Sequence, residues 1–346
     1  MERTELNEFG EFKLIKHLTQ NIKLKQKSSL LGVGDDAAVI SPDMDKVVVT
    51  TDMLLEGVHF NLAYMPLKHL GYKAVAVNLS DVYAMNAEPR QVTVSIGLSN
   101  RFSVEAIEEL YEGILLCCEN YQVDLVGGDT VSSASGLVIS VTAIGHAKES
   151  DIVYRNGAKE GDLICVSGDL GASFMGLQLL ERERAVFEED PKIQPDLSGK
   201  EYIIERQLKP EPRADIVRLL KEKKIVPNAM IDISDGLASE LFHIAENSGV
   251  GCKIYEDKIP IEPQTDLVAD EFKFSPVSAA LNGGEDYELL FTIPQSAYEK
   301  VKDNTEIKII GHITAESEGL HLVTRVGEQI PLKAQGWDAF RKKEEE

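Results

Sequence analysis

Six short acidic motifs are spread along the 346 residues: Gly34-Asp35-Asp36, Thr50-Thr51-Asp52, Asn78-Leu79-Ser80-Asp81, Gly127-Gly128-Asp129-Thr130, Asp232-Ile233-Ser234-Asp235-Gly236 and Gly283-Gly284-Glu285-Asp286. Most stand where a strand-like or helix-like stretch ends. A fold that gathers these carboxylates must put positive charge between them, and a set of hard divalent cations is the simplest source. The pattern therefore points to magnesium-dependent phosphate chemistry.

The length exceeds one ordinary core and predicts two domains, with boundaries at 1–150 and 151–346. A formal net charge of −22 excludes nucleic acid as a partner on charge grounds, because backbone binding needs basic surface. A nucleotide remains compatible with that charge if metal ions separate its phosphates from the carboxylates. No apolar run is long enough to span a bilayer and the first residues lack a secretory pattern, so a cytoplasmic chain is expected. The four cysteines, Cys117, Cys118, Cys165 and Cys252, show no metal-binding spacing and read as small buried hydrophobes.

From about Gly32 to Ala147 strand and helix patterns alternate. Val47 to Thr50 reads as a strand, Leu67 to Ala87 as a helix, Val92 to Leu98 as a strand, and Ser103 as the N-cap of a helix reaching about Tyr121. Asp124-Leu125-Val126 and Leu137 to Ile144 complete the section. The second half opens at the Gly157–Asp162 turn, followed by the strand Leu163 to Ser167 and a helix opened by Gly168-Asp169-Leu170-Gly171-Ala172-Ser173. Residues Glu181 to Arg213 carry no clean periodicity and read as an insertion, a lid or a loop. Helical patterns at Ala214–Lys224 and Leu237–Asn247 flank the strand Met230–Ile233.

Each motif carries two readings. Asp35 and Asp36 form either an acidic turn or a metal approach behind two glycines, and which of the two would be the ligand is open. Asp52 closes the Val47–Thr51 strand, where open sheets place ligands, or else sits in a turn. Asp81 lies in a helix among apolar neighbours and shares a face with Asn78, which calls for a compensating partner. Gly127-Gly128-Asp129-Thr130 is either a phosphate-binding nest or a hairpin turn. Asp235 is placed to cap the following helix, a role that does not extend to Asp232. Arg155 is a candidate for a bidentate phosphate contact or an ordinary surface arginine.

Taken in order, GDDAA, TTDMLLEGVHF, YKAVAVNLSDVYAM, LVGGDT, DISDGL and NGGEDYELLF resemble the thiamine-phosphate kinase family, from Gly10-Glu11-Phe12 to Gly336-Trp337-Asp338-Ala339-Phe340. The resemblance implies the two-domain aminoimidazole-ribonucleotide-synthetase-like fold, an α/β domain whose sheet pairs with its copy in a homodimer, followed by an α+β domain. It implies transfer of the ATP γ-phosphoryl group to thiamine monophosphate, with several Mg2+ ions. By motif, Asp36, Thr50, Thr51, Asp52, Asp81, Asp129, Asp232 and Asp235 would bind the metal, with Asp52, Asp129 and Asp232 at its catalytic centre. Tyr111, Gly128, Arg155 and Ser234 would contact ATP, and His59, Glu285 and Trp337 would hold thiamine phosphate. An indole face attracts a thiazolium cation by about 0.5–2 kcal/mol, although Trp337 is equally suited to pinning the C-terminus by packing. His59 and Glu285 have their own plain alternatives, a satisfied polar group and a turn acid.

Two other readings stay open. Another ATP-dependent synthetase of the same superfamily would use the same scaffold, while His59 and the Gly336-Trp337 segment favour the kinase. A non-catalytic nucleotide or metal sensor would carry the same ligands without turnover.

Overall fold

The computed structural model describes residues 17–31, 39–40 and 46–334; Asp35, Asp36 and Trp337 lie outside them. The chain divides into one unit of Met1–Ile152 with Leu208–Ala214, and a second of Val153–Gln207 with Asp215–Glu346. Among the described residues no helix is long and apolar enough to cross a membrane.

In the first unit, β1 (Ser29–Leu31) and β2 (Val39–Ile40) form a short antiparallel pair. The main sheet has four strands in the order β3 (Lys46–Leu55), β6 (Val138–Ala147), β4 (Glu88–Leu98) and β5 (Asp124–Ser132). Only the β4–β5 pair is parallel. Alternation along β3 sends Thr50, Asp52 and Leu54 toward the helices and leaves Val47, Val49, Thr51 and Met53 on the open face.

The sheet's inner face is covered by α1 (Leu67–Ala84), which is buried over nearly its whole length, and by α2 (Val104–Asn120). Ser103 caps α2 by accepting a hydrogen bond from the Ala106 N–H at 3.3 Å, as the sequence predicts. The two helices touch backbone to backbone: a Cβ on Gly71 would lie 2.0 Å from the Leu110 carbonyl oxygen, and one on Gly113 would lie 1.8 Å from that of Lys68. This close crossing lets Leu70, Val75, Leu79, Ile107 and Ile114 bury completely, at about 1.5–3 kcal/mol of stabilisation per side chain.

Residues 208–214 strap onto this unit. Glu211 Oε2 accepts from the hydroxyls of Tyr72 and Tyr121 at 2.5 and 2.6 Å, and the Lys209 ammonium lies 4.5 Å over the Tyr72 ring. A single boundary near residue 150 does not anticipate this return of the chain.

The second unit is built on a seven-stranded sheet in the order β13 (Gln329–Pro331), β12 (Leu320–Val323), β9 (Val250–Tyr255), β11 (Ile307–Ala315), β7 (Leu163–Ser167), β10 (Leu289–Ile293) and β8 (Ala229–Asp232). Every neighbouring pair is antiparallel except β12–β9. Ile164, Val166, Ile231, Ile254 and Ile310 form its core with Leu237 and Leu241 of α6 (Leu237–Ser248). The charged stretch expected to be irregular is largely helical: α3 (Ala172–Glu189) and α4 (Glu201–Leu208) occupy much of it, followed by α5 (Ala214–Glu222). Its periodicity is hidden because the buried side of α3 ends at Leu180, before the stretch begins, and within the stretch Ile203 of α4 is the buried residue that joins the cluster with α7 (Pro263–Glu271) and α8 (Pro276–Asn282). All four cysteines are free and buried.

Gly113→Ala should lower the unfolding free energy by about 1–3 kcal/mol in urea titrations, because backbone rather than a flexible side chain must move. Glu112→Ala, which removes only an exposed pair with Lys68, should cost under about 1 kcal/mol in the same titration.

Candidate active site

In the first unit the acidic residues gather where β3 meets α1. The Thr50 hydroxyl donates to Asp81 Oδ2 at 2.6 Å, and the Asp52 N–H donates to Asn78 Oδ1 at 3.0 Å. Asn78 is held in that orientation because its Nδ2 donates to the Ala74 carbonyl at 3.0 Å. Asn78 and Asp81 lie one turn apart and face the same strand, as their spacing predicts. Burial, and then the neighbouring Asp81 carboxylate, push Asp52 up to about 6. Two carboxylates and a hydroxyl at the floor of one site form an oxygen-only donor set suited to a hard divalent cation. A cation there would relieve the like-charge pressure on Asp52.

Asp52 does not end its strand. β3 continues through Met53, Leu54 and Leu55, paired with β6 as far as Val138, so Asp52 belongs to mid-strand. The reading of Gly127-Gly128-Asp129-Thr130 as a nest or hairpin turn is also corrected: all four residues belong to β5 and pair with Thr93 to Ile96 of β4. The glycine has a packing reason, since a Cβ on Gly128 would lie 1.9 Å from the Val94 carbonyl oxygen.

Sheet register separates the predicted ligands. Asp52 shares a row with Val141, Val94 and Gly128, whereas Asp129 shares the next row with Ser95, Ser140 and Met53 and is exposed. Neighbouring rows face opposite sides, so Thr51 and Asp129 lie on the open face, and Asp52 and Asp129 are about 14 Å apart across three strand spacings. The Asp129 carboxylate accepts from its neighbour's N–H, that of Thr130, at 2.9 Å. Among the described residues no three His, Cys, Asp or Glu side chains form a metal-holding group.

His59 follows β3, and its Nδ1 accepts from the Leu55 N–H at 3.1 Å, which leaves Nε2 as the proton-bearing nitrogen of the neutral ring. Tyr111 lies inside α2 at 8% exposure, and burial pushes its hydroxyl up to about 12. It has little surface to offer a nucleotide.

In the second unit the Asp232–Gly236 segment leaves edge strand β8 and enters α6. Asp232 is buried beside Leu289 of β10. Asp235 does not cap α6, because Gly236 takes the N-cap position without a side-chain bond. Glu240, in the first turn of α6, reaches back to the segment before the helix: its Oε1 accepts the Asp235 N–H at 3.1 Å and the Ser234 hydroxyl at 3.5 Å. Burial raises Glu240 to about 7; the Asp235 N–H bond and Arg155 oppose the shift, while the Asp235 carboxylate adds to it. Asp235 is raised by burial and by Glu285, while His243 and Arg155 act the other way. Asp235 therefore senses the charges of Glu285, His243 and exposed Arg155.

Glu285 has a left-handed backbone, φ 57°, and its N–H donates to the Ser234 carbonyl at 2.7 Å. Tyr287, φ 52°, donates likewise to the Ile233 carbonyl at 2.9 Å, which clamps the Gly283–Asp286 turn against the Asp232–Gly236 segment. Asn78 and Glu240 were not expected as site residues. Asn78 was visible through its shared face with Asp81, whereas Glu240 reads as an ordinary first-turn acid.

Residues 34–147 match the family model for AIR synthase related protein, N-terminal domain, and residues 159–323 match its C-terminal domain. The thiamine-monophosphate kinase of Buchnera aphidicola (subspecies Schizaphis graminum) is 37% identical over 340 residues, covering 96% of this chain and 99% of the relative. That of Aquifex aeolicus is 36% identical over 335 residues, covering 97% and 99%. The chain belongs to the thiamine-monophosphate kinase family. The solved AaThiL chain complexed with AMPPCP and TMP superposes at a TM-score of 0.74 with 34% identity, covering 98% of this chain and all of that one. Family membership agrees with the fold expected from the motifs, two AIR-synthase-related domains of mixed α and β structure.

Because Asp52 is raised, the folded chain keeps a proton that the unfolded chain releases between about pH 3.8 and 6, and ionisation costs stability as pH rises through that window. In metal-free buffer, Asp52→Asn should therefore stabilise the chain at pH 7.5 by about 1 kcal/mol after allowance for partial exposure, and by little at pH 4. Thermal melts of both proteins, with and without magnesium, check this; magnesium should stabilise the wild type more than the variant.

Proposed function

We propose that this chain transfers the γ-phosphoryl group of ATP to the phosphate of thiamine monophosphate, giving thiamine diphosphate and ADP. The observation that carries the reading is the near-full-length similarity to thiamine-monophosphate kinases, together with a relative of 34% identity solved with AMPPCP and TMP. The acceptor phosphate oxygen is already ionised, so the reaction needs positioning and charge neutralisation more than a general base. That requirement fits sites made of carboxylates, hydroxyls and one exposed arginine.

In this reading Asp52 and Asp81, with the Thr50 hydroxyl, hold magnesium in the first unit, and Asn78 fixes the strand backbone at Asp52. When bound, magnesium would neutralise phosphate charge. Asp36, Thr51 and Asp129 remain ligands on the strength of the resemblance, as do Asp232 and Asp235 in the second unit. Arg155, Ser234 and Gly128 serve ATP, as the resemblance also has it for Tyr111. His59 and Glu285 serve thiamine phosphate, with Trp337 as the aromatic partner of its cationic ring; the Nε2–H of His59 is a donor suited to phosphate. Burial and a like-charged neighbour at Asp52 support the metal assignment more directly than anything at Thr51 or Asp129.

A homodimer is the natural cover for the open face of the first unit's sheet. Val47, Val49, Met53 and Val131 are 48–62% exposed there, a grouping of apolar side chains that water alone covers poorly. Val49→Lys should convert the wild-type dimer to monomer in analytical ultracentrifugation; a wild type that sediments as a monomer overturns this assignment.

The decisive assay follows ADP and thiamine diphosphate together from ATP and thiamine monophosphate, with magnesium present and then chelated. Equal, magnesium-dependent formation of both is the expected result. ADP without thiamine diphosphate would assign another acceptor, and absence of ADP would assign a binding protein. Asp52→Asn should lower turnover by roughly 100-fold or more, as expected where a preorganised electrostatic group is removed.

A further inference from the structure

The second unit contains a buried polar assembly that the proposed reaction leaves unused. Gln207, the next-to-last residue of α4, is 3% exposed, and Ser173 in the first turn of α3 is fully buried. The Ser173 hydroxyl donates to Gln207 Oε1 at 2.5 Å, and Gln207 Nε2 donates to Glu285 Oε2 at 3.0 Å; the carboxylate only accepts, so it dictates the amide orientation and the hydroxyl supplies the matching donor. Burying an amide is costly unless both ends are satisfied, and here the two ends are satisfied in one orientation only.

The surroundings hold this relay in place. Arg206 pairs with Glu288 at 2.9 Å and donates to the carbonyls of Asp169 and Asp286 at 3.2 Å each. Asp286 Oδ2 accepts the Gly171 N–H at 2.9 Å just before α3 begins, and Glu288 Oε2 accepts from Ser167 at 2.5 Å. The chain just after Glu285 is thus fixed, while Glu285 itself keeps a left-handed backbone that a non-glycine residue adopts at a cost. Such a conformation persists where the surroundings over-determine it, and here it presents one carboxylate beside Asp235.

We propose that Gln207 is a positioning residue, braced by Ser173, that aims the Glu285 carboxylate at the cationic ring system of the acceptor substrate. The inference rests on the reading of Glu285 as a thiamine-phosphate contact. Gln207 touches no substrate; it sets the direction and acceptor capacity of the residue that does.

Steady-state kinetics of the full chain with ATP, thiamine monophosphate and magnesium test this. Gln207→Met keeps the volume and removes the donor; it should raise KM for thiamine monophosphate roughly tenfold, the scale of one hydrogen bond to a charged group. KM for ATP and kcat at saturation should stay within about twofold of wild type on the same grounds. Ser173→Ala, a milder change, should move KM in the same direction by less. The Gln207→Met/Glu285→Gln double variant should be no worse than Glu285→Gln alone, because both act through one contact. If Glu285→Gln raises KM and Gln207→Met does not, the positioning role is overturned and the substrate reading survives. If Glu285→Gln leaves KM unchanged, the substrate reading falls and takes this inference with it. If Gln207→Met and Ser173→Ala both lower the melting temperature and weaken ATP and thiamine monophosphate equally, Gln207 is only a packing residue.

Discussion

The period-two alternation of β3 is the constraint on which the first unit turns. A strand can offer only every second side chain to the helix layer, and in β3 those side chains are Thr50, Asp52 and Leu54. Leu54 belongs to the core, which locks the register; a slip of one residue would bury Thr51 and Met53 and expel Asp52. The hydrophobic core and the acidic site are thereby set by the same choice. The close crossing of α1 and α2 serves the same end, since it holds Asn78 and Asp81 against the strand.

The elements with strong patterning were legible in the sequence. α1, α2, α6, β4 and β7 lie within a few residues of expectation, because apolar periodicity and the Ser103 cap are local signals. Glu181–Arg213 was opaque because helices with one narrow buried stripe and a charged remainder look like loops to any local test. Gly127-Gly128 misled in the other direction. Paired glycines signal a turn, yet here Gly128 answers to a neighbouring backbone that leaves no room for a side chain, and that neighbour, Val94, is distant in sequence.

The site was legible as residue types and less so as geometry. Thr50, Asp52 and Asp81 come together as expected, while Thr51 and Asp129 are separated from them by strand parity, which could have been read only with the strand boundaries in hand. Gln207 could not be found from sequence. It lies 78 residues from Glu285, in a segment without a motif, and its role depends on an amide held between Glu285 and a third residue, Ser173.

The strap of residues 208–214 bears on how the molecule is made. Glu211 completes the hydrogen bonding of Tyr72 and Tyr121 and lies beyond all of Val153–Gln207 in the chain. On the ribosome the first unit therefore waits for the acceptor of two tyrosine hydroxyls until Val153–Gln207 of the second has emerged. Dividing the gene at the covalent midpoint would yield one product lacking its clasp and another carrying it as an orphan loop. The two units are separable as architecture but interleaved as polymer, so any exchange of halves between relatives would have to move this heptapeptide with the N-terminal portion.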